Sequence, residues 1–435
     1  MSSDKSTIDT SKPGGGTPAE EVPPATVAAI DPRLLVREQG FKGYITEFQR
    51  KLKGGELGSL PVIVGLIIIW TIFQVKDSLF LSSSNMVNIS FFLSGTGMIA
   101  AGLVFVLLLG EIDLSVASVS GLSSALFAIF ATTHGINPWL AALMTLAIGA
   151  GIGAVHGFFF AKIGVPAFVV TLAGNLGWNG LMLWLLGSTG SLSIADTGPL
   201  HILGQRSFFM NQSIAGAYVL ATVGVAALLL GSLVDQTRRR RANVPYRPTS
   251  EIVLRTVALA VVAYVAAFVL NKSSGVPNAL VIFLVALVIC DFVLRRTTFG
   301  RKVFAVGGSI EAARRAGISV AAVRISVFAI AGFFSSLGGL FLAAQTYTAT
   351  LQAGQGNLLM LAIAAAVIGG TSLFGGRGNV WSALLGMLVI QSIQTGLDLL
   401  NMNQSIQYMI TGAVLLAAVV IDSVARRTQK ASGRA

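Results

Sequence analysis

Charge is scarce in this chain of 435 residues. Only 11% are Asp, Glu, Lys or Arg, against 54% hydrophobic, and the mean hydropathy is +0.78. A soluble domain carries roughly a quarter charged residues, so this composition belongs to a chain that meets lipid over most of its surface. Cysteine occurs once, as Cys290 within an apolar run, which excludes an intrachain disulfide and a cysteine-built metal site. The three histidines, His134, His156 and His201, stand far apart and argue against a metal centre. No Gly-Lys pair exists, hence no P-loop, and neither H-E-x-x-H nor G-x-S-x-G is found. The chain is therefore read as no enzyme, with no cofactor and no nucleotide site of its own. A net charge of +12 would fit nucleic acid in a soluble protein. Here the basic residues gather at the ends of apolar runs, which points to topology and anionic headgroups, with membrane lipids rather than nucleic acid as the contact.

What is abundant is apolar length. A helix needs about 20 apolar residues to cross roughly 30 Å of hydrocarbon. About twelve runs qualify: Leu60–Val75, Asn88–Leu109, Leu114–Thr133, Pro138–Ala161, Pro166–Gly187, Ile214–Val234, Ile252–Leu270, Val276–Leu294, Val323–Gln345, Leu358–Phe374, Val380–Leu399 and Ser405–Ile421. With the N-terminus inside and the spans alternating, the inner segments hold 27 of the 30 Lys and Arg, and only Lys76, Arg206 and Lys272 fall outside. A shift of one span would scramble this division. The expected fold is all-α, a polytopic transmembrane helical bundle of about 12 spans with both termini cytoplasmic. The transmembrane domain is expected at 60–425, with a cytoplasmic loop at 295–324 and a tail at 426–435. Ahead of it, residues 1–59 are cytoplasmic: 1–32 have a disordered composition, and 33–59 form a basic, mildly amphipathic stretch able to lie on the inner membrane surface. No apolar core follows a basic start, so the N-terminus does not read as a cleaved signal peptide.

Inside the spans, glycine and a few polar groups stand out. Gly149, Gly153 and Gly157 put small residues on one helix face, which favours close packing in lipid and a homodimer. Ionisable groups at membrane depth point by default to function. Glu111 and Asp113 have two readings: a solvated turn in which Asp113 or Ser115 caps the helix that follows, or groups on a translocation pathway. Thr171, Asn175 and Asn179, in the run 166–187, belong to the pathway reading. If a carboxylate titrates there, the alternative is an ion-coupled secondary transporter.

The loop 295–324 carries Ser309-Ile310-Glu311-Ala312-Ala313-Arg314-Arg315-Ala316-Gly317. Ser309 is a good helix N-cap, Glu311 suits the positive end of the helix dipole, and Gly317 can take the left-handed conformation that ends a helix. Ala312, Ala313 and Ala316 are expected to keep one side slim enough to enter a cleft, while Arg314 and Arg315 supply charge. Such a short capped helix on the inner face is either a plain surface helix or a docking surface for a cytoplasmic partner.

Glu311-Ala312-Ala313, three residues, then Gly317, resembles the coupling motif of the permeases of ATP-binding-cassette importers. Other stretches narrow the resemblance: Gly300-Arg301-Lys302-Val303-Phe304-Ala305-Val306-Gly307-Gly308, Glu111-Ile112-Asp113-Leu114-Ser115-Val116, Pro166 to Gly174, and Ile368-Gly369-Gly370-Thr371-Ser372-Leu373-Phe374-Gly375-Gly376. Together, over roughly 60–425, they are similar to the ribose, arabinose and xylose permeases, most of all the xylose branch. The resemblance implies import of a monosaccharide, a pentose such as xylose first. It also implies a separate cytoplasmic ATPase, a periplasmic or extracellular sugar-binding protein, and a place in the bacterial cytoplasmic (inner) membrane. The chain departs from the family pattern at Leu359-Met360-Leu361, where Glu-Leu-Asp is usual, at Ala117 for Gly, and at His156 for Asn.

Overall fold

A computed structural model describes residues 60–208, 213–244 and 246–431. The tail at 1–32, the surface helix expected at 33–59 and residues 432–435 lie outside the described residues. The chain is helical almost throughout: α1 (Leu60–Lys76), α2 (Ser83–Leu108), α3 (Val116–Ala128), α4 (Pro138–Phe158), α5 (Ala167–Leu186), α6 (Gly198–Gly204), α7 (Ser213–Arg241), α8 (Thr249–Asn271), α9 (Asn278–Arg296), α10 (Thr298–Gly308), α11 (Ile310–Arg315), α12 (Val320–Thr346), α13 (Leu358–Ile368), α14 (Trp381–Leu399) and α15 (Gln404–Ala431). Among the described residues, nine helices are long and apolar enough to cross a membrane, so the protein is a polytopic, multi-pass helical membrane protein.

Two expectations need correction. The run Leu358–Phe374 is not one helix: α13 stops at Ile368, and Gly370 takes φ +107° in the loop that follows. Eleven helical residues reach only about 16 Å, well short of a bilayer core. The fold is not strictly all-α either. β1 (Ser191–Ser193) pairs antiparallel with β2 (Thr348–Thr350), Leu192 facing Ala349, which fastens the 188–212 connection to the end of α12. Helix α15 runs on to Ala431, into the segment 426–435.

Helix α2 is the centre. It is apolar all round and buried along nearly its whole length, the pattern expected of a helix without a lipid face. Its start is set by Ser82, whose side chain accepts the Asn85 N–H. Helices α12, α14, α13 and α9 pack around it. The tightest seam joins α4 to α12. A β-carbon at Gly153 would overlap the Phe328 carbonyl, and one at Gly332 the Gly149 carbonyl. The stripe read from the sequence thus lets two backbones touch inside one chain. Beside the seam, the Ser123 and Ser336 hydroxyls meet at 2.5 Å, joining α3 to α12.

Candidate functional site

The segment 309–317 is built as its sequence dictates. The Ser309 hydroxyl accepts the Ala312 N–H at 3.2 Å. At the other end Gly317 sits at φ +74°, and the Ile318 N–H closes on the Ala313 carbonyl, satisfying carbonyls a helix end leaves bare. Glu311 and Arg315 face each other at 3.9 Å, both largely exposed, a pair worth about 0–1 kcal/mol. Ala313 corrects the expected slim side: it is buried against the chain's own core, so its small size serves the seat of α11. Glu311, Ala312, Arg314, Arg315 and Ala316 remain outward. The loop also holds a second helix, α10, capped by Thr297 through the Gly300 N–H.

Helix α10 rests on two hairpins that the sequence separates by some 260 residues. The Gly376 N–H donates to the Leu108 carbonyl at 2.9 Å, and a β-carbon at Gly307 would overlap that same carbonyl. Gly110 in turn lies against the Phe374 carbonyl, where a β-carbon would come within 3.2 Å.

The turn 109–115 is the start of a buried polar chain. Asp113 is 2% exposed, and its Oδ1 accepts both the Ser115 N–H at 2.8 Å and the Ser115 hydroxyl at 2.6 Å. Neither of the two caps foreseen is made: the Asp113 bonds close the turn ahead of the helix, and the Ser115 side chain makes no bond to the helix backbone that follows. Burial pushes the Asp113 carboxyl above its ordinary value, more than the bonds from the Ser115 hydroxyl and amide pull it down. His156 Nδ1 lies 3.2 Å from the Ser115 hydroxyl, and the Trp178 indole N–H donates to His156 Nε2 at 3.0 Å. An indole nitrogen only donates. Nε2 is thus the bare nitrogen, Nδ1 carries the hydrogen, and the bonds run in one direction from Trp178 on α5 through His156 on α4 to Ser115 and Asp113. A β-carbon at Gly174 would meet His156 Nε2 at 2.5 Å, so glycine leaves room for the imidazole against α5.

Thr171 joins from the side: its hydroxyl accepts the Leu114 N–H at 3.1 Å and donates to the Ala167 carbonyl at 3.0 Å. Glu111 does not join. It turns to Arg324 on α12, 3.7 Å away, and the Arg324 guanidinium lies 4.1 Å over the Phe160 ring. Burial raises the Glu111 carboxyl, and Arg324 offsets part of that rise. Asn175 and Asn179 bond to each other at 3.2 Å, apart from the chain, and the Asn179 carbonyl oxygen is buried without a partner. The structure thus gathers Glu111, Asp113, Ser115 and Thr171 at one turn and leaves the two asparagines on α5. The sequence reading missed Arg324, Phe160 and the bridging role of His156. A histidine inside an apolar run was the available signal, because a buried imidazole must find partners.

The family described as branched-chain amino acid transport system / permease component matches residues 85–419. Among curated proteins, the chain is 34% identical over 374 residues to the xylose transport system permease protein of Haemophilus influenzae, covering 86% of this chain and 98% of that one. It is 33% identical over 378 residues to the Escherichia coli K12 protein of the same name, covering 86% and 94%. It is 30% identical over 377 residues to the ribose import permease protein of Bacillus subtilis, covering 87% and 96%. No solved structure matches the chain. These relatives agree with the resemblance carried by the coupling motif and by the stretches around Glu111, Pro166 and Ile368. The chain belongs to the branched-chain amino acid transport system / permease component family.

Proposed function

We propose that this protein is the membrane permease subunit of an ATP-binding-cassette importer for a monosaccharide, with xylose the first candidate. The similarity to xylose permeases over nearly their whole length carries the reading. The capped, outward-facing α11 supports the position of the docking surface. Ser309, Glu311, Ala312, Arg314, Arg315 and Gly317 form and display it, and Ala313 seats it. The protein contributes no nucleotide site. A separate cytoplasmic ATPase supplies the energy, and a periplasmic sugar-binding protein delivers the sugar to a homodimer in the bacterial inner membrane. The topology proposed is about twelve membrane segments with both termini cytoplasmic, the nine long helices joined by α1, α15 and the short α13 together with the loop that follows it.

The physical task is desolvation. A pentose bears several hydroxyls, and stripping water from each without a partner costs roughly 2–7 kcal/mol. A passage between two copies lowers that barrier if polar groups are offered in turn, and a deep well anywhere would stall release. Specificity then rests on the binding protein, and the passage needs only weak polar contacts. Glu111, Asp113, Ser115, Thr171, Asn175 and Asn179 are the groups proposed for it. Helix α5 supports a close approach of two copies, because Gly177 and Gly180 are exposed with open space beside them. ATP-driven closure of the ATPase pair would move α11 as a lever and switch the passage between its two openings.

The test is uptake of labelled xylose into vesicles holding the complex. ATP inside should drive uptake with the proton gradient collapsed. Uptake that stops with the gradient while ATP is held constant would favour an ion-coupled carrier working through Glu111 or Asp113.

A further inference from the structure

We propose that the 109–115 turn transmits movement from the docking segment to α5, with Arg324 and Trp178 as its two positioning residues. The proposal rests on the importer reading above and adds the route by which the lever acts.

Three contacts fix one side of the turn to the docking segment. Gly307 of α10 lies against the Leu108 carbonyl, where the turn begins. The Gly376 N–H holds that same carbonyl, so the second hairpin is clamped into the junction. Arg324 stands in the second turn of α12, the helix that continues from α11 after Gly317, and reaches Glu111 at 3.7 Å. Its guanidinium is braced on Phe160 of the π-helical turn at the end of α4. A shift of α10 and α11 therefore meets the turn through backbone contact, which is stiff, and through one ion pair, which sets direction.

Two contacts fix the other side to α5. The Leu114 N–H binds the Thr171 hydroxyl. The chain from Asp113 through Ser115 and His156 ends on the Trp178 indole. Each member has a single compatible role: the indole donates, Nε2 accepts, Nδ1 donates, the hydroxyl accepts and passes its own hydrogen to the carboxylate. A chain so ordered resists partial opening, since breaking one bond leaves a buried polar group unpaired. Helix α5 is otherwise held mainly by one neighbour, α3. Only Ala167, Thr171, Met182 and Leu186 along it are buried, so it can follow the turn as a body. The alternative for this buried set is a static core network. Such a network would need neither Arg324 at one end nor a donor-only tryptophan on the exposed helix at the other.

The experiment uses vesicles with the assembled complex, its ATPase and its sugar-binding protein, and reads xylose taken up per ATP hydrolysed. The variants are Arg324→Gln, Trp178→Phe and their double. Trp178→Phe keeps an aromatic ring of smaller size and removes the N–H. Each single variant should assemble, hydrolyse ATP at the wild-type basal rate, and lower the uptake ratio by roughly five-fold or more, the scale of ordinary coupling between sites. The double should be no lower than the lower single, because both cut one route. Arg324→Lys, which keeps the charge facing Glu111, should recover part of the ratio. Phe160→Leu with His156→Gln repeats the cycle from inner members, so a folding defect in one pair does not decide the outcome. Unchanged ratios, or single effects that multiply in the double, would overturn the route while ATP-driven uptake by the wild type upholds the importer. No ATP-driven uptake by the wild type would overturn both.

Discussion

Consider Gly153→Ala on α4. A methyl group there would overlap the Phe328 carbonyl oxygen and sit 2.8 Å from the carbonyl carbon and 3.1 Å from the Ala329 Cα. Carbon atoms in contact rest at about 3.5–4.0 Å, so α12 must withdraw by roughly 1 Å at this point. Backbone atoms cannot rotate aside as a flexible side chain would. A gap of that size forfeits a quarter to a half of the dispersion well for the atoms along it, and overpacking of this kind costs about 1–3 kcal/mol. Gly151 provides the control, since it lies on the same helix two residues away with nothing within 4 Å. Gly151→Ala should gain about 0.5–1 kcal/mol from restricted backbone freedom. The two variants therefore separate by roughly 1.5–4 kcal/mol, a difference of several degrees in the apparent melting point of the detergent-solubilised protein. The assay is the temperature at which the monodisperse species is lost. The seam also sets the spacing of His156 and Arg324, so Gly153→Ala should lower transport as well. Equal melting of the two variants would refute the close α4–α12 approach.

Three further outcomes follow from the same geometry. Ser309→Ala removes the cap of α11, a loss of about 1 kcal/mol, and should weaken ATPase docking several-fold in a pull-down titration without changing the amount of folded permease. Gly317→Val forces a β-branched residue to φ +74°, a strain of about 1–2 kcal/mol or more. It should lower docking more than Ser309→Ala does, as measured in the same titration. Asp113 has a native carboxyl value raised above the ordinary 3.8 by burial. Its contribution to stability is thus fully present below that ordinary value and is lost as pH rises through the raised native one. The wild type should melt higher at mildly acidic pH than at pH above neutrality, and Asp113→Asn, which still accepts from Ser115, should flatten that dependence. Parallel curves for the two proteins would remove Asp113 as the source.

The membrane character and the capped short helix at 309–317 were legible because local chemistry decides them. Apolar runs exclude water, and a Ser309 cap with Gly317 behind it allows few alternatives to a short helix. The stripe Gly149, Gly153, Gly157 likewise announced a close approach, although its partner, α12, is about 170 residues away and no spacing rule names it. The failures lie where tertiary contact overrides composition. Leu358–Phe374 is apolar enough to span, yet Gly369 and Gly370 end the helix, and a β-carbon at Gly369 would overlap the Ser382 carbonyl across the hairpin. Ala313 is as small as Ala312, and only the packing of α11 against the chain shows which of them faces outward. Arg324 lies inside an apolar run, and its partner Glu111 is more than 200 residues earlier. The sequence marks Glu111 as a costly group and Arg324 only as one of the inner basic residues, and no spacing joins them.

The central claim is that a separate ATPase docks on α11. The most direct measurement is native co-purification: a C-terminal tag, mild extraction, and mass spectrometry of the stoichiometric companions, for the wild type and for Glu311→Ala with Gly317→Pro. An ATP-binding-cassette ATPase present with the wild type and lost from the variant, with the permease itself still folded, is the predicted result. A homo-oligomer without an ATPase, transporting in vesicles that contain no ATP, would contradict it.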